Sequence, residues 1–244
     1  GGVNTGGAWW NGWGANGTFP LDYAVDARSK GYVPVFIYYT LSGSAGSCGS
    51  CGGQQKSLSN LNNPGLMAAY YQNFRLLMQR LGPGNYGGVG GFGHTVVVDI
   101  EPDLAGFIEQ ALLGNNCYGY CTASGNDPAK VRASVASSGD ADTAAFPDTF
   151  QGYNWALLHL RDVYAPNVLL AFHVSNWATR TDIGSNTNPA TDAAALGVEA
   201  GSFAAQSGTS TVPPNVRPYD LVFNDVADHD AGWQKYVAGN PHTW

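Results

Sequence analysis

The chain has 244 residues, 44% of them hydrophobic, which suffices for one full-sized hydrophobic core. Its 11 Lys and Arg against 18 Asp and Glu leave a net charge of -7, which excludes the basic surface that binding to a nucleic-acid backbone requires. No apolar run reaches the roughly 18 to 20 residues that span a bilayer, and no basic segment followed by a short apolar one opens the chain. We therefore expect one soluble domain over residues 1–244, with no nucleic-acid partner and no membrane span.

The first predicted strand covers residues 32–40, YVPVFIYYT, because β-branched and aromatic residues dominate this segment. A long loop is predicted after it. A helix then begins at Asn63, an N-cap followed by Pro64 in the first helical position, and its apolar residues recur at helical spacing. The Gly82-Pro83 pair ends this helix.

The rest of the chain continues the alternation of strands and helices. The valine-rich strand at 95–101 is followed by a predicted polar loop region and then by a helix from about Asp148 to Tyr164, which Pro166 closes. Three further elements complete the prediction: a buried strand at 168–174 (VLLAFHV), an Ala-rich helix at 192–207 and a last strand at 219–225 (YDLVFND).

Strands that alternate with helices predict parallel strands covered by helices, either as a barrel or as a doubly wound sheet. The Gly-rich tracts at 1–7 and 84–93 lack the strand-turn-helix context of a phosphate-binding loop, so we predict plain loops there. Polar residues end several predicted strands, which is where (β/α)8 barrels build their active sites. We therefore expect an α/β fold with a (β/α)8 TIM-type barrel. Only 19 residues follow Asp225, too few for an eighth strand and helix, so we expect a barrel that is incomplete at its ends or lacks pieces there.

The strand at 95–101 carries its acidic side chains on one predicted face. Residues two apart in a strand share a face, so Asp99 and Glu101 should point away from the covering helices and reach the mouth of the barrel. The strand at 168–174 repeats the pattern and brings His173 to the same mouth. In the strand at 95–101, one predicted face consists of Thr95, Val97, Asp99 and Glu101, and the other consists of Val96, Val98 and Ile100.

The four cysteines are closely spaced in two loops, Cys48 near Cys51 and Cys117 near Cys121. They allow three disulfide pairings, and the same spacing would also suit a four-thiolate zinc site. Disulfides are favoured, because the flanking segments are loop-like and the composition, rich in Gly, Asn, Ser and Thr, is typical of secreted proteins that handle carbohydrate.

The acidic segment 225–230 lacks the full spacing of a calcium loop. We therefore expect a secreted, extracellular protein with no metal site and no cofactor.

One strand ends in Glu101-Pro102, and a strand two strand-helix units later ends in Asp225. This arrangement resembles the barrel glycoside hydrolases whose acid/base follows strand four and whose nucleophile follows strand seven, the cellulase- and mannanase-like superclan. The resemblance implies that Glu101 is the general acid/base and that Asp225 is the nucleophile. It also implies a substrate cleft lined by Tyr38, Tyr39, His173 and Trp177. We expect Asn224, at the end of the last strand, to bind substrate as well.

The segment Asp99-Ile100-Glu101 also resembles the barrel muramidases that end a strand in Asp-x-Glu. In that group the Glu protonates the leaving oxygen, and the Asp orients the N-acetyl group of the substrate and stabilises the intermediate. This second resemblance implies a peptidoglycan hydrolase in which Asp99, rather than Asp225, is the second carboxylate.

Three indoles cluster in the segment AWWNGW, at Trp9, Trp10 and Trp13. A loop rich in Gly and Asn does not readily bury three large rings. They are therefore predicted either to stack on the faces of sugars or to plug one end of the barrel.

Cleavage of an acetal needs one protonated carboxyl group to assist the leaving group, and one ionised carboxylate to attack or to stabilise positive charge at the anomeric carbon. Glu101 together with Asp225, or with Asp99, would meet this requirement. We therefore expect a glycosidase that hydrolyses a β-linked polysaccharide. A non-catalytic carbohydrate-binding barrel stays open as an alternative, because Asp225 stands where the resembled enzymes carry the longer Glu.

Overall fold

The computed structural model of the protein describes residues 14, 17–45, 48, 50–114, 116–121, 127–183, 186 and 188–225. Its helices are α1 (Phe19–Ser29), α2 (Gly53–Leu61), α3 (Pro64–Leu81), α4 (Leu104–Leu113), α5 (Phe150–Tyr164) and α6 (Ala193–Gln206). Its strands are β1 (Val35–Tyr38), β2 (Asn85–Tyr86), β3 (Val89–Gly90), β4 (Val96–Ile100), β5 (Val168–Ser175) and β6 (Leu221–Asp225). Short 3-10 helices at Pro128–Lys130 and Ala136–Ser138 precede α5.

The main sheet is parallel and has the strand order β1-β4-β5-β6. Each strand lies beside the next strand of this sheet along the chain, and helices connect them. Asp99 of β4 pairs with Ile37 of β1 and with Ala171 of β5, which in turn pairs with Leu221 of β6. The predicted α/β class with parallel strands is confirmed. Within the described ranges the sheet has four strands, and a closed barrel is not shown.

One face of the main sheet packs against α3 and α5. A large hydrophobic cluster joins Val98 of β4 and Leu170 of β5 to Tyr70 of α3 and Leu157 of α5, all of them buried. The predicted helix-facing side of both strands is therefore confirmed. Its members in the cluster are Val96, Val98 and Ile100 of β4 and Val168, Leu170 and Phe172 of β5.

The opposite face of the sheet is buried at its centre and open at its edges. Asp99 and His173 are only 2% and 6% exposed, and Ala171 between them is fully buried. On the two outer strands, by contrast, Ile37 of β1 is 67% exposed and Leu221 of β6 is 36% exposed. We call this side, centred on Asp99 and His173, the carboxylate face.

Helix α3 begins and ends where the sequence predicts. The side chain of Asn63 accepts a hydrogen bond from Leu66 N at 3.0 Å, and Pro64 occupies the first helical position. Gly82 follows the last helical residue and touches the end of α5, because a Cβ built on it would lie 1.9 Å from the carbonyl oxygen of Tyr164. The predicted α5 and α6 are also present, with bounds that differ by one or two residues from those expected.

Two predicted loop regions are wrong, because each contains a helix. The polar region expected after β4 contains α4, whose sequence LAGFIEQALL buries Leu104, Ile108 and Leu112 at helical spacing. The long loop expected after β1 contains α2, whose sequence GQQKSLSNL has few apolar residues. Tertiary burial of Leu58 and Leu61 stabilises this short helix more than its intrinsic propensity does.

The Gly-rich tract 84–93 is also more than the plain loop that we predict. It forms the antiparallel hairpin of β2 and β3, in which Asn85 pairs with Gly90. The two residues between the strands, Gly87 and Gly88, have φ of 64° and 80°, and this pair of positive values is the conformation that tight hairpin turns require. The other Gly-rich tract, 1–7, lies outside the described residues.

The cysteines pair within each loop. Cys48 and Cys51 lie at disulfide distance, as do Cys117 and Cys121, with Cα–Cα distances of 5.5 and 5.4 Å. This selects one of the three pairings that the sequence leaves open, and none of the four cysteines is free. In the described part of the chain, no helix is both long enough and apolar enough to cross a bilayer.

Candidate functional site

The C-terminal end of β4 holds the carboxyl group of Glu101 against the residues that follow β1. Glu101 Oε1 accepts hydrogen bonds from Thr40 N at 2.9 Å, from Thr40 Oγ1 at 3.2 Å and from Leu41 N at 3.1 Å. Leu41 N also lies 3.2 Å from Oε2. The parallel pairing of β1 with β4 brings these groups together, because both strands end at the same edge of the sheet.

Burial raises the pKa of Glu101. The residue is only 2% exposed, and loss of water disfavours the ionised form of a carboxyl group. Hydrogen bonds from Thr40, Leu41 and Tyr70 stabilise the ionised form and act in the opposite direction. Burial dominates, and the pKa rises from its ordinary 4.5 to about 7. A carboxyl group with such a pKa can give or take a proton near neutral pH.

The backbone of Glu101 lies in the left-handed region, with φ of 42°. This conformation costs a non-glycine residue roughly 1 to 2 kcal/mol, and such residues concentrate at functional sites where neighbouring contacts hold them in place. Here Glu101 N donates to Tyr38 O at 2.8 Å, and Glu101 O accepts from Leu104 N at 2.9 Å. The backbone is therefore fixed between the end of β1 and the start of α4.

Three buried tyrosines surround the Glu101 carboxyl group. Tyr70 of α3 hydrogen-bonds to it, and the hydroxyl oxygens of Tyr70 and Tyr153 of α5 lie 2.6 Å apart. Burial, together with the nearby Glu101 charge, raises the pKa of Tyr38, Tyr70 and Tyr153. The side chain of Glu101 thus faces α3 and α5. The expectation that Glu101 shares a face with Asp99 is wrong, because the left-handed φ breaks the alternation of the strand.

Asp99 and His173 form a buried pair on the carboxylate face. Asp99 Oδ2 lies 2.9 Å from His173 Nδ1, and this contact fixes the orientation of the imidazole ring. Asp99 Oδ1 has no hydrogen-bond partner among the described residues. A buried carboxylate with an unused oxygen beside an oriented imidazole is an arrangement that can bind a polar substrate group or take part in proton transfer.

Two side-chain hydrogen bonds connect the residues at and just beyond the C-terminal ends of the strands. Tyr39 OH donates to Asp103 Oδ2 at 2.5 Å, which links the end of β1 to the start of α4. Ser175 Oγ donates to Pro102 O at 3.1 Å, which links the end of β5 to the end of β4. Tyr39 is 41% exposed, and burial with the hydrogen bond to Asp103 raises its pKa to about 12. It therefore stays neutral and presents an accessible ring at this edge.

Three other residues predicted to line the cleft or to bind substrate are in contact with different parts of the molecule. Tyr38 comes close to Glu101, but it does so inside the hydrophobic core. Trp177 packs against Phe107 of α4, with 5.2 Å between ring centroids. Asn224 is exposed, and its Nδ2 donates to Val174 O at 2.7 Å.

Four predicted site residues lie outside the described residues or are described by their backbone alone. Trp9, Trp10 and Trp13 lie outside the described residues. Asp225 ends β6, where its backbone pairs with Ser175, and the description of this residue stops at the backbone. Its role as second carboxylate therefore stays a prediction.

Sequence reasoning missed the groups that bind the Glu101 carboxyl. Thr40 does end the predicted strand 32–40, so the parallel arrangement of strands could have placed it near Glu101. In the sequence, Tyr70 is one of the apolar positions of the predicted helix α3, and no local pattern marks the left-handed backbone of Glu101.

A cavity of about 10 Å³ adjoins Glu101 on the helix side, with Tyr153 and Tyr219 in its wall. It has room for one water molecule and not for a sugar ring.

In the part of the chain that the structure describes, no group of three or more His, Cys, Asp or Glu side chains could hold a metal ion. No protein-family model matches the sequence, and neither a curated protein nor a solved structure is significantly similar to the chain.

Proposed function

We propose that the protein is a secreted glycoside hydrolase that cleaves a β-linked polysaccharide at the C-terminal edge of its parallel sheet. The observation that carries this proposal is the presence of ionisable groups on both faces of the sheet near that edge. They are the Glu101 carboxyl group, with its pKa raised to about 7, and the buried pair of Asp99 and His173. The two cysteine pairs at disulfide distance support an oxidising, extracellular environment.

The proposed reaction uses Glu101 as the general acid. With a pKa raised to about 7, the Glu101 side chain can hold a proton near neutral pH and transfer it to the glycosidic oxygen. Asp225, at the end of β6, is the proposed nucleophile. Asp99, oriented with His173, is the alternative second carboxylate, as in the Asp-x-Glu muramidases.

A change of backbone conformation at Glu101 completes the proposal. Residues two apart in an extended strand share a face, so a return of Glu101 to an extended φ would turn its carboxyl group toward the side of Asp99. The left-handed φ of 42° already carries a conformational cost, which lowers the free energy needed for this change. Thr40 and Leu41 hold the carboxyl group in the conformation described, and binding of substrate would have to replace their hydrogen bonds.

We further propose that the sheet is part of a (β/α) barrel. The strands follow one another in the order of the chain, the apolar face packs on helices, and the other face carries the buried polar pair. A doubly wound sheet reverses its strand order next to the first strand. Within the described residues this sheet shows no such reversal.

A non-catalytic carbohydrate-binding barrel is the second candidate. It is favoured by the burial of Glu101, which is only 2% exposed and whose carboxyl group is held by two backbone amides and a hydroxyl group. In this alternative Glu101 links β1, β4 and α3, and the protein binds sugar at Tyr39 and neighbouring rings. The two candidates differ in whether the protein hydrolyses a polysaccharide. They therefore differ in whether Glu101→Gln, which removes the acidic group, abolishes hydrolysis.

The deciding experiment measures the release of reducing ends from cellulose, mixed-linkage glucan, mannan, xylan, chitin and peptidoglycan. Wild type is compared with Glu101→Gln and with Glu109→Gln, a matched control because burial also raises the pKa of Glu109 to about 7 on helix α4. We expect release from one polymer by wild type and by the control, and a rate lower by about 10²- to 10⁴-fold in Glu101→Gln. Thermal unfolding of each variant shows whether it remains folded.

Two results would contradict the hydrolase proposal. If no polymer is cleaved, although one is bound equally by wild type and Glu101→Gln, the binding barrel is supported. If a polymer is cleaved and the folded Glu101→Gln variant retains the full rate, Glu101 is not the acid. The same assay on Asp99→Asn would then test whether the reaction depends on the pair with His173.

A further inference from the structure

A small, partly open cavity lies between α4 and α6, away from the groups described above. Its volume is about 90 Å³, enough for one metal ion with one or two water molecules. One carboxylate enters it from each helix, Glu109 from α4 and Glu199 from α6. The remaining wall residues are Leu112, Ser202, Phe203 and Gln206.

One oxygen of the Glu109 carboxyl group is buried without a hydrogen-bond partner in the described part of the chain. The residue is 3% exposed, and its Oε1 has no hydrogen-bond partner among the described residues. No Lys or Arg within those residues forms an ion pair with Glu109 or Glu199. Glu199 lies close enough for its charge to disfavour a second charge on Glu109. Such a carboxylate is costly to bury unless a cation or a proton neutralises it.

Helix α6 presents further oxygen atoms to the same cavity. Glu199, Ser202 and Gln206 are three and four residues apart, so they lie on one face of the helix. Gln206 Nε2 donates to Ser202 Oγ at 2.9 Å. This bond directs the amide nitrogen to the hydroxyl group and leaves the amide oxygen of Gln206 for another partner.

We propose that this cavity binds a divalent cation of the calcium type. Glu109 and Glu199 would supply carboxylate oxygens, Gln206 its amide oxygen, and water the remaining ligands. Calcium prefers six to eight oxygen ligands and tolerates irregular geometry, which suits a site made from two helices. With two protein carboxylates, the dissociation constant should fall in the range of about 10⁻⁴ to 10⁻³ M that is typical of extracellular modules.

The cation would hold α6 to the rest of the molecule. Among the residues of this helix only Phe203 is buried, and Val198 is 73% exposed. A helix with so little apolar burial gains much of its stability from any contact that fixes it. Bound calcium replaces the repulsion between Glu109 and Glu199 by a shared attraction across the gap between α4 and α6.

The test uses calcium as the probe on the whole chain after treatment with EDTA and removal of the chelator. At pH 7.5 we expect 10 mM CaCl₂ to raise the Tm of the wild type by about 3 to 8 °C relative to NaCl of equal ionic strength. Isothermal titration calorimetry should show one site per chain. The variants Glu109→Gln and Glu199→Gln should each lose most of the rise, whereas Asp26→Asn, which changes an exposed carboxylate on α1, should keep it.

The Tm of Glu109→Gln without calcium also shows whether a lost calcium response comes from a loss of folding or from a loss of calcium binding. Without calcium its Tm should equal or exceed that of wild type at pH 7.5, because a neutral amide replaces an uncompensated carboxylate. The proposal is overturned if calcium leaves the wild-type Tm unchanged and calorimetry detects no binding. It is equally overturned if the calcium-dependent rise persists in both Glu variants, since the ion would then bind elsewhere.

Discussion

At the scale of single residues, the pKa of Glu101 results from two opposed effects. Burial raises it, whereas the hydrogen bonds from Thr40, Leu41 and Tyr70 lower it, and burial is the larger effect. Among these donors, the Thr40 hydroxyl group can be removed by Thr40→Val, a substitution of nearly the same shape. The backbone amides of Thr40 and Leu41 would stay in place, so the carboxyl group should keep its position.

Thr40→Val should therefore raise the pKa of Glu101 further, by about one unit, because the ionised form loses one donor. The measurement is a ¹³C NMR titration of the glutamate side-chain carboxyl groups between pH 4 and pH 9, with Glu101→Gln used to assign the signal. Thr143→Val serves as the control, since Thr143 is also fully buried and its hydroxyl group bonds to Asp140 O. A fall in the pKa of Glu101, or an equal rise in both variants, would contradict the assigned role of Thr40.

At the scale of elements, the ends of α3 and α5 are in direct backbone contact. Gly82 ends α3 with φ of −75°, a value that any residue can adopt, so this glycine is not needed for a special turn. It is needed for space, because a Cβ there would meet the carbonyl oxygen of Tyr164 at 1.9 Å and its carbonyl carbon at 2.9 Å. Neither atom can rotate away, since both belong to the backbone.

Gly82→Ala should thus lower the free energy of unfolding by about 3 kcal/mol, the upper part of the range for overpacking a tight site. Urea unfolding followed by circular dichroism measures this quantity. Gly90→Ala is the matched control, because a Cβ on Gly90 meets nothing within 4 Å and its φ is not positive. Equal stability of the two variants would show that α3 and α5 can move apart at little cost.

At the scale of the whole molecule, two buried glutamates link stability to pH. The pKa values of Glu101 and Glu109 both rise from 4.5 to about 7, mainly because burial disfavours the ionised form of each carboxyl group. Between about pH 4.5 and pH 7, the folded chain keeps protons on these two glutamates that the unfolded chain releases. Stability from these groups is therefore complete below about pH 4.5 and is lost as the pH rises through about 7.

The free energy of unfolding in EDTA should accordingly fall between pH 5 and pH 8, by on the order of 1 to 3 kcal/mol for each glutamate. Urea titrations at half-unit steps of pH measure the slope. The double variant Glu101→Gln/Glu109→Gln should show a much flatter profile, since it lacks the two carboxyl groups whose protons are lost in this range. A wild-type profile that rises from pH 5 to pH 8, or an unchanged slope in the double variant, would refute the assignment.

The sequence by itself determined the elements whose signals are local. Asn63, Pro64 and Gly82 mark the ends of α3 because capping and helix termination depend on a few neighbouring residues. The alternation in β4 and β5 predicted which side packs on helices, and strand geometry enforces that pattern until Ile100. The α/β class follows from the same local periodicities. Helix α4 has the same kind of local signal, because Leu104, Ile108 and Leu112 recur at helical spacing in LAGFIEQALL.

Only the tertiary structure decided where the ionisable groups point and what surrounds them. The left-handed backbone of Glu101 turns its carboxyl group to Thr40, Leu41 and Tyr70, which no spacing in the sequence connects. The partnership of Asp99 with His173 likewise depends on the register between two strands. Hydrogen bonds and desolvation act over a few ångströms between residues that are distant in the chain. They become predictable only after the strands and helices have been placed.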